Sequence, residues 1–239
     1  MRNLFFAVCL ALASVCTAYA ADFNHAEQLY RQGHFASALA EYEELLATYP
    51  NDPFLYYNIG NCYFKMGVRG LAAANYYRAF RLAPRDQDIR HNLTLALGSA
   101  GEKFVPSGMP QALHQAFFGL RTDELKGLFF LSLWLFCTMA SVWLVKRRFG
   151  CAALAAALIL ALLGGWYAWR KDIEGQKLAV VAAPVAELRS GPGSNFPANA
   201  NAVQGRLVII EDTRDDWYEV IVKSEGIKGW TEANSLEII

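Results

Sequence analysis

Hydrophobic residues change their spacing several times along this chain. Behind Arg2 runs a short apolar stretch, Leu4 to Val15, that ends at Ala18-Tyr19-Ala20. A helical repeat pattern then extends to residue 98. It gives way to two uncharged stretches, 19 residues from Gly127 to Val145 and 21 from Phe149 to Trp169. After Lys177 the period shortens again, to the runs "LAVVAAP", "RLVIIED", "WYEVIVK", "GWTE" and "SLEII", which Gly, Pro, Asp and Ser clusters separate. The expected fold class is a multidomain membrane protein: an all-α repeat solenoid, a two-helix transmembrane hairpin and a small all-β barrel.

The opening run has the features of a secretory signal: an early cation, a short apolar core and small residues at the two recognition positions. Residues 1–20 are expected to be that signal, with the mature chain starting near Ala21. Val15 before Cys16 fits poorly with a lipoprotein acceptor site. The two uncharged stretches would span about 28 and 32 Å as helices, enough for a hydrocarbon core. Neither contains Pro, so every backbone group can pair within its own helix. Lys146, Arg147 and Arg148 form the connection between them. Short loops rich in Lys and Arg stay in the cytoplasm, so the hairpin is expected to enter and leave from outside. Residues 21–126 and 170–239 then share the extracytoplasmic side. Trp166, Tyr167 and Trp169 suit an aromatic belt at the outer end of the second span, while Arg170 and Lys171 just beyond it run against the charge rule. Neither span carries an ionisable residue, which argues for an anchor over transport or proton relay. Ala153, Ala157, Ala161 and Gly165 recur every four residues and are expected to form a close-packing stripe.

In the helical part, Gly33 and Gly67, Ala38 and Ala72, Tyr42 and Tyr76, and Pro50 and Pro84 are each separated by 34 residues. Small residues let paired helices approach, and the terminal Pro ends the second helix. The period and these residues resemble the tetratricopeptide repeat, with units at about 19–52 and 53–86 in a domain of residues 21–101. "DQDIRHNLTLALG" supplies a capping helix over 87–98, with Leu93, Leu95 and Leu97 as its apolar residues. Asn24, Asn58 and Asn92 recur at one repeat position. With Arg31, Asn61 and Lys65 they could hydrogen-bond an extended peptide or hold a terminal carboxylate, or they could be solvated polar positions. Cys62 reads as a small core residue. Glu27, Glu41, Glu43, Glu44 and Asp52 make the first unit acidic, and Lys65, Arg69, Arg78, Arg81 and Arg85 make the second basic. This division either steers a partner or pairs the units.

Residues 102–126 form a connector with an expected short interfacial helix around Leu113, Phe117, Phe118 and Leu120. Thr122, followed by Asp123 and Glu124, is the expected cap of the first span, 127–145. The cytoplasmic loop is 146–148 and the second span is 149–169. Tyr218, Val220 and Val222 share a strand face in the carboxyl-terminal part. There "LRSGPGSNFP", "DDWYEV" and "KGWTEANSL" follow one another in an order that resembles the bacterial SH3-like domain over residues 177–239. That resemblance implies binding of cell-wall peptides or proteins, with Arg189, Trp217, Tyr218 and Trp230 as the candidate ligand face or as core.

Composition narrows the function classes. With 22 basic and 22 acidic residues, no net field favours nucleic acid. His25, His34, His91 and His114 lack metal-ligand spacing, "SGPGSN" lacks the Lys of a phosphate loop, and no Gly-x-Ser-x-Gly elbow occurs. No cofactor, metal or catalytic residue is expected. The whole order, with its "RTDEL" entry to the hairpin, resembles the BatE family of bacterial aerotolerance proteins. The resemblance implies an inner-membrane scaffold acting with von Willebrand A-domain membrane proteins and a MoxR-type ATPase in stress tolerance or envelope maintenance. Peptidoglycan, bound through the SH3-like domain, is the alternative partner.

Overall fold

The computed structural model describes residues 19, 22–105, 108–147 and 149–239. The expected signal segment lies outside the described residues except for Tyr19, and so does Arg148 of the basic loop. Those residues fall into two compact units. One comprises the residues before Gly108 together with Leu178–Ile239, and the other is Gly108–Lys177.

The first unit begins with five helices: α1 (residues 22–31), α2 (Phe35–Thr48), α3 (Pro53–Lys65), α4 (Arg69–Leu82) and α5 (Gln87–Gly98). The punctuation repeats. Gly33 and Gly67 end α1 and α3 at φ +83° and +82°, a left-handed conformation that glycine adopts without steric cost. His34 N–H reaches back to Leu29 O, and Val68 N–H to Tyr63 O, the same closing bond one repeat apart. Asp52 caps α3 by accepting from Phe54 N at 2.8 Å, ahead of Pro53, and Asp86 caps α5 by accepting from Asp88 and Ile89 N at 3.0 Å. The α5 bounds coincide with the expected capping helix, but its leucines separate: Leu93 and Leu97 are buried and Leu95 is 51% exposed. Residues two apart lie on opposite sides of a helix.

Ala26, Ala38, Tyr42, Leu45, Leu55, Ile59 and Cys62 form the repeat core. At Gly60 α3 and α4 come close together: a β-carbon there would stand 2.7 Å from the Tyr76 ring. Helix α4 is buried nearly all round, at Gly70, Ala72, Ala73, Ala74, Asn75, Tyr76, Ala79 and Phe80. The β part of the same unit accounts for this, because it packs on α4 in addition to α3 and α5.

That β part is one seven-stranded sheet in the order β3-β2-β6-β5-β4-β1-β7. Its strands are β1 (Lys177–Val181), β2 (Val185–Arg189), β3 (Ala198–Val203), β4 (Leu207–Arg214), β5 (Trp217–Val222), β6 (Lys228–Glu232) and β7 (Leu236–Ile238). The pairings of β1 with β7, β2 with β3 and β6, and β5 with β4 and β6 are antiparallel. Ala179, Val181, Leu188, Val208, Val220 and Val222 fill the inner face, with Tyr218 packed against them. Between the helices and the sheet, Arg78 donates to Glu237 Oε1 at 2.5 Å and to Ile238 O. The Glu102 carboxylate, its side chain 5% exposed, accepts from Ser224 Oγ at 2.7 Å and Arg206 Nη1 at 3.3 Å. Gly70 leaves room for the Val181 carbonyl, which any side chain there would strike. Arg78 of the basic repeat thus pairs with the β domain rather than with the acidic repeat.

The second unit holds α6 (Gln111–Phe118), α7 (Thr122–Lys146) and α8 (Gly150–Gly175). The two long helices extend about 38 and 39 Å, are apolar enough to cross a membrane, and pack on each other as an antiparallel pair. Arg147 and Phe149 turn the chain between them at φ +52° and +65°. The hydroxyls of Ser132, Thr138 and Ser141 donate to carbonyls of their own helix, at Phe129, Leu135 and Cys137. The expected small-residue stripe is corrected here. Ala153 and Ala156 are buried and Ala157 and Gly164 partly so, with Gly164 against the Phe129 ring, whereas Ala161 and Gly165 are exposed. Steps of four residues drift about 40° each around a helix, so a strict four-residue stripe walks off the packed face. The helix cap moves as well: Arg121 precedes the first turn and its N–H bonds Glu124 Oε2 at 2.9 Å, leaving Thr122 as the first helical residue.

Gly60→Ala is expected to cost about 1–3 kcal/mol by forcing Tyr76 off its site. Guanidinium denaturation followed by the far-UV signal of the helices would register it as a lower midpoint.

Candidate functional site

Helices α1, α3 and α5 carry one face of the repeat unit, and a cavity of about 270 Å³ opens among them. Tyr30, Tyr57, Asn61, Phe64, Lys65, Asn92 and Leu95 line it, and Tyr76 of α4 forms its base. Of the residues expected to bind peptide, Asn61, Lys65 and Asn92 meet here. Asn58 joins through a long contact, its Oδ1 3.4 Å from Asn61 Nδ2. Arg31 lies outside the lining, ion-paired with Glu27 one turn away on α1. Asn24, the first of the asparagine series, is exposed near the start of α1.

A hydrogen-bond network sets the polarity of the cavity wall. Asn61 Oδ1 accepts from the Tyr76 hydroxyl at 2.8 Å and from Asn92 Nδ2 at 3.1 Å. Asn92 Nδ2 also donates to the Tyr57 hydroxyl at 3.0 Å. Both hydrogens of the Asn92 amide are thereby spent inside the network, and its acceptor capacity remains. Tyr57, having accepted, keeps its hydroxyl proton to give. Burial raises the phenols of Tyr30, Tyr57 and Tyr76, so all three stay protonated at physiological pH. Lys65 adds a cation at the rim. The wall therefore offers a donor and an acceptor side by side, which is what the N–H and C=O of an extended chain require. Phe64, Tyr30 and the exposed Leu95 add apolar surface for side chains.

The aromatic lining escaped the reading of polar positions. The repeat period carries the signal that would have found it: Tyr30 and Phe64 are repeat equivalents, as are Asn61 and Leu95. Tyr76, a position of the 34-residue period, packs against Gly60 and donates to Asn61 at once.

On the sheet, three of the four expected ligand-face residues come together. Arg189 and Trp230 are register partners, Trp217 pairs with Glu232 and Trp230 with Glu219, so Arg189, Trp217 and Trp230 share one face. Tyr218, the next residue along β5, faces the core. Trp230 is 6% exposed with the Arg214 guanidinium 5.2 Å above its ring. Arg189 is engaged locally, with Glu187 and with the carbonyls of Ser194 at 3.1 Å and Phe196 at 2.7 Å, which pins the "SGPGSNFP" loop.

Residues 26–67 match the family described as TPR repeat. The match runs from Ala26 of α1 through α2 and α3 to Gly67, and so includes both chain-reversing glycines and the Asn58–Lys65 wall of the cavity. A repeat of this kind implies a protein-interaction role, with proteins as partners. No curated protein matches the chain.

Cys62 sits behind the groove, fully buried, and desolvation with a smaller push from Glu43 raises its thiol from 9.0 to about 12. The folded state holds that proton more tightly than the unfolded one. Its contribution to stability is whole below pH 9.0 and is lost as pH rises toward about 12. Iodoacetamide at pH 9.0 is expected to leave Cys62 unmodified until denaturant is added. A Cys62→Ala chain should lose less of its neutral-pH stability over that alkaline window than the parent.

Proposed function

We propose that this protein is a non-enzymatic adaptor of the bacterial inner membrane whose repeat groove holds an extended segment of a partner protein. The observation that carries the reading is the paired donor and acceptor wall made by Tyr57, Asn61, Tyr76 and Asn92, with Lys65 at its edge. The two long apolar helices serve as a membrane hairpin, and the basic connection Lys146-Arg147-Arg148 stays in the cytoplasm. Both the repeats and the β domain are then periplasmic. The β domain is read as bacterial SH3-like. The resemblance to the BatE family points to von Willebrand A-domain membrane proteins as partners, together with a MoxR-type ATPase, in an aerotolerance or envelope-maintenance complex. The adaptor acts by holding chains together, without bond chemistry of its own.

Co-purification from native membranes after crosslinking tests this reading. Replacing Asn58, Asn61 and Lys65 together by Ala is expected to reduce recovery of the partner membrane proteins at least several-fold, with the mutant chain still inserted and folded. Unchanged recovery would reject the groove as the binding surface.

A second reading rests on the shared face of Arg189, Trp217 and Trp230, which suits a cell-wall peptide. On that reading the detergent-solubilised full chain is retained by purified sacculi, and Trp217→Ala lowers retention. Equal retention of parent and variant would remove this face as the binding surface, and no retention of either would remove peptidoglycan as the ligand.

A further inference from the structure

The turn from α6 into α7 is held by an arginine in an unusual position. Arg170, on α8 at the end of the apolar stretch, is 5% exposed. Its Nη1 donates to Phe117 O at 2.8 Å and Leu120 O at 3.4 Å, the carbonyls at the end of α6 and just beyond. Its Nη2 donates to Glu174 Oε1 at 2.9 Å and Thr122 Oγ1 at 3.4 Å, and Thr122 in turn donates to Glu174. The guanidinium also lies 4.8 Å from the Phe118 ring centre and 5.7 Å from that of Phe117. A cation at a helix carboxyl end, matched by one carboxylate and two aromatic faces, presents almost no naked charge.

Helix α6 itself is uncharged, within a stretch from Val105 to Leu120 that contains no Asp, Glu, Lys or Arg. It buries His114 and leaves Ala112, Leu113 and Ala116 exposed together with the uncharged amides of Gln111 and Gln115, Leu113 at 57%. Phe117 packs edge-on against Trp169 at 4.8 Å, and Trp169 is itself exposed. The apolar surface of α6 is thus continuous with the outward surfaces of α7 and α8. Arg170 Nε and Trp166 Nε1, four residues apart on α8, are buried donors without a partner among the described residues.

We propose that α6 is a lipid-interface helix, docked on the hairpin by Arg170 and lying in the headgroup and ester zone of the leaflet at that end. The proposal rests on the membrane reading of α7 and α8. Lipid is the occupant because the exposed face of α6 joins the apolar surface of helices long enough to span a bilayer, and because the Arg170 guanidinium that docks it is neutralised from within. The ester zone tolerates aromatic rings such as Trp169 and Phe117.

The test uses the full chain in vesicles of phosphatidylethanolamine and phosphatidylglycerol, with nitroxide labels placed singly in a background whose other reactive cysteines are alanine. Labels at Leu113→Cys, at Leu158→Cys on the outward face of α8, and at Asn201→Cys on the exposed part of β3 report collisions with oxygen, which concentrates in lipid, and with a water-soluble nickel chelate. The expected result is lipid-like accessibility at 158, water at 201, and an intermediate, oxygen-favoured value at 113. Arg170→Gln should raise nickel access at 113 several-fold while leaving 158 unchanged. Water-like access at 113 beside lipid-like access at 158 would overturn the interface proposal alone. Shielding of 113 from both reagents, the mark of a covering protein, would overturn it too, as would an Arg170→Gln chain that leaves 113 unmoved. Water-like access at 158 would overturn the membrane reading beneath it.

Discussion

The Tyr76 ring occupies the space that a side chain at residue 60 would fill, and much of the first unit follows from that contact. The absence of a β-carbon at Gly60 lets α3 and α4 close on each other. The phenol that seals the gap then reaches Asn61 with its hydroxyl. Core packing and groove chemistry are therefore one event. A smaller residue at 76 would loosen the helix pair and also remove one of the two donors to Asn61 Oδ1. With Asn61 fixed, Asn92 is oriented from the next repeat, and Tyr57 through Asn92. The groove owes its donor and acceptor order to a core residue, and a buried, satisfied network of this kind holds a single arrangement.

The far side of α4 is equally constrained. Helices with apolar or small residues all round need cover on all sides, and the repeats alone cover only part of α4. The β domain supplies the remainder, through Gly70 against the Val181 carbonyl and the charged contacts of Arg78 and Glu102. Arg78 also engages the Ile238 carbonyl of β7, a terminal strand in the sheet order, which gives that strand a partner where its edge would otherwise be open. In solenoids an end cap protects the last apolar face. Here α5 covers one flank of α4 and the sheet covers another, so the groove is presented by a braced body.

What could be read from the amino acids tracks how local each cause is. Helix ends were legible where glycine at 33 and 67 and proline at 50 and 84 act on their immediate neighbours, whereas the caps at Asp52 and Asp86 show only in the folded chain. The five richest β runs were legible from Val, Ile, Trp and Tyr. Strand β3, "ANANAV", was not, since Ala and Asn seldom favour a strand and only pairing with β2 makes one there. Asn92 stood out by its period with Asn24 and Asn58, Asn61 and Lys65 as polar residues beside that series, and these three line the cavity: Asn61, Lys65 and Asn92. The hydroxyl roles of Tyr57 and Tyr76 were not legible, because an aromatic at a packing position looks the same whether or not its hydroxyl is used. Contacts between Arg78 and Glu237, or Glu102 and Arg206, were invisible for a different reason: each residue alone is an ordinary surface charge, and only the tertiary fold brings them together.

Arg170 shows how a charge rule can be obeyed in substance while it is broken in count. Positive-inside bias acts on cations that must be solvated on one side of a membrane. Counted by sequence, Arg170 and Lys171 weigh against the assigned orientation. In the structure Arg170 is spent: its donors go to two carbonyls, a hydroxyl and a carboxylate, with aromatic rings on its faces. Glu174, its partner, lies one turn further along the same helix, so the pair carries no net charge at that end. On the proposed topology, Lys146 and Arg147, which make no such contacts among the described residues, and Lys171, exposed beyond Arg170, are the cations left for the bilayer potential and the insertion machinery to weigh. An ion that is neutralised by the fold therefore leaves the orientation to those that are not, and its remaining effect is mechanical, to fix α6 against α8.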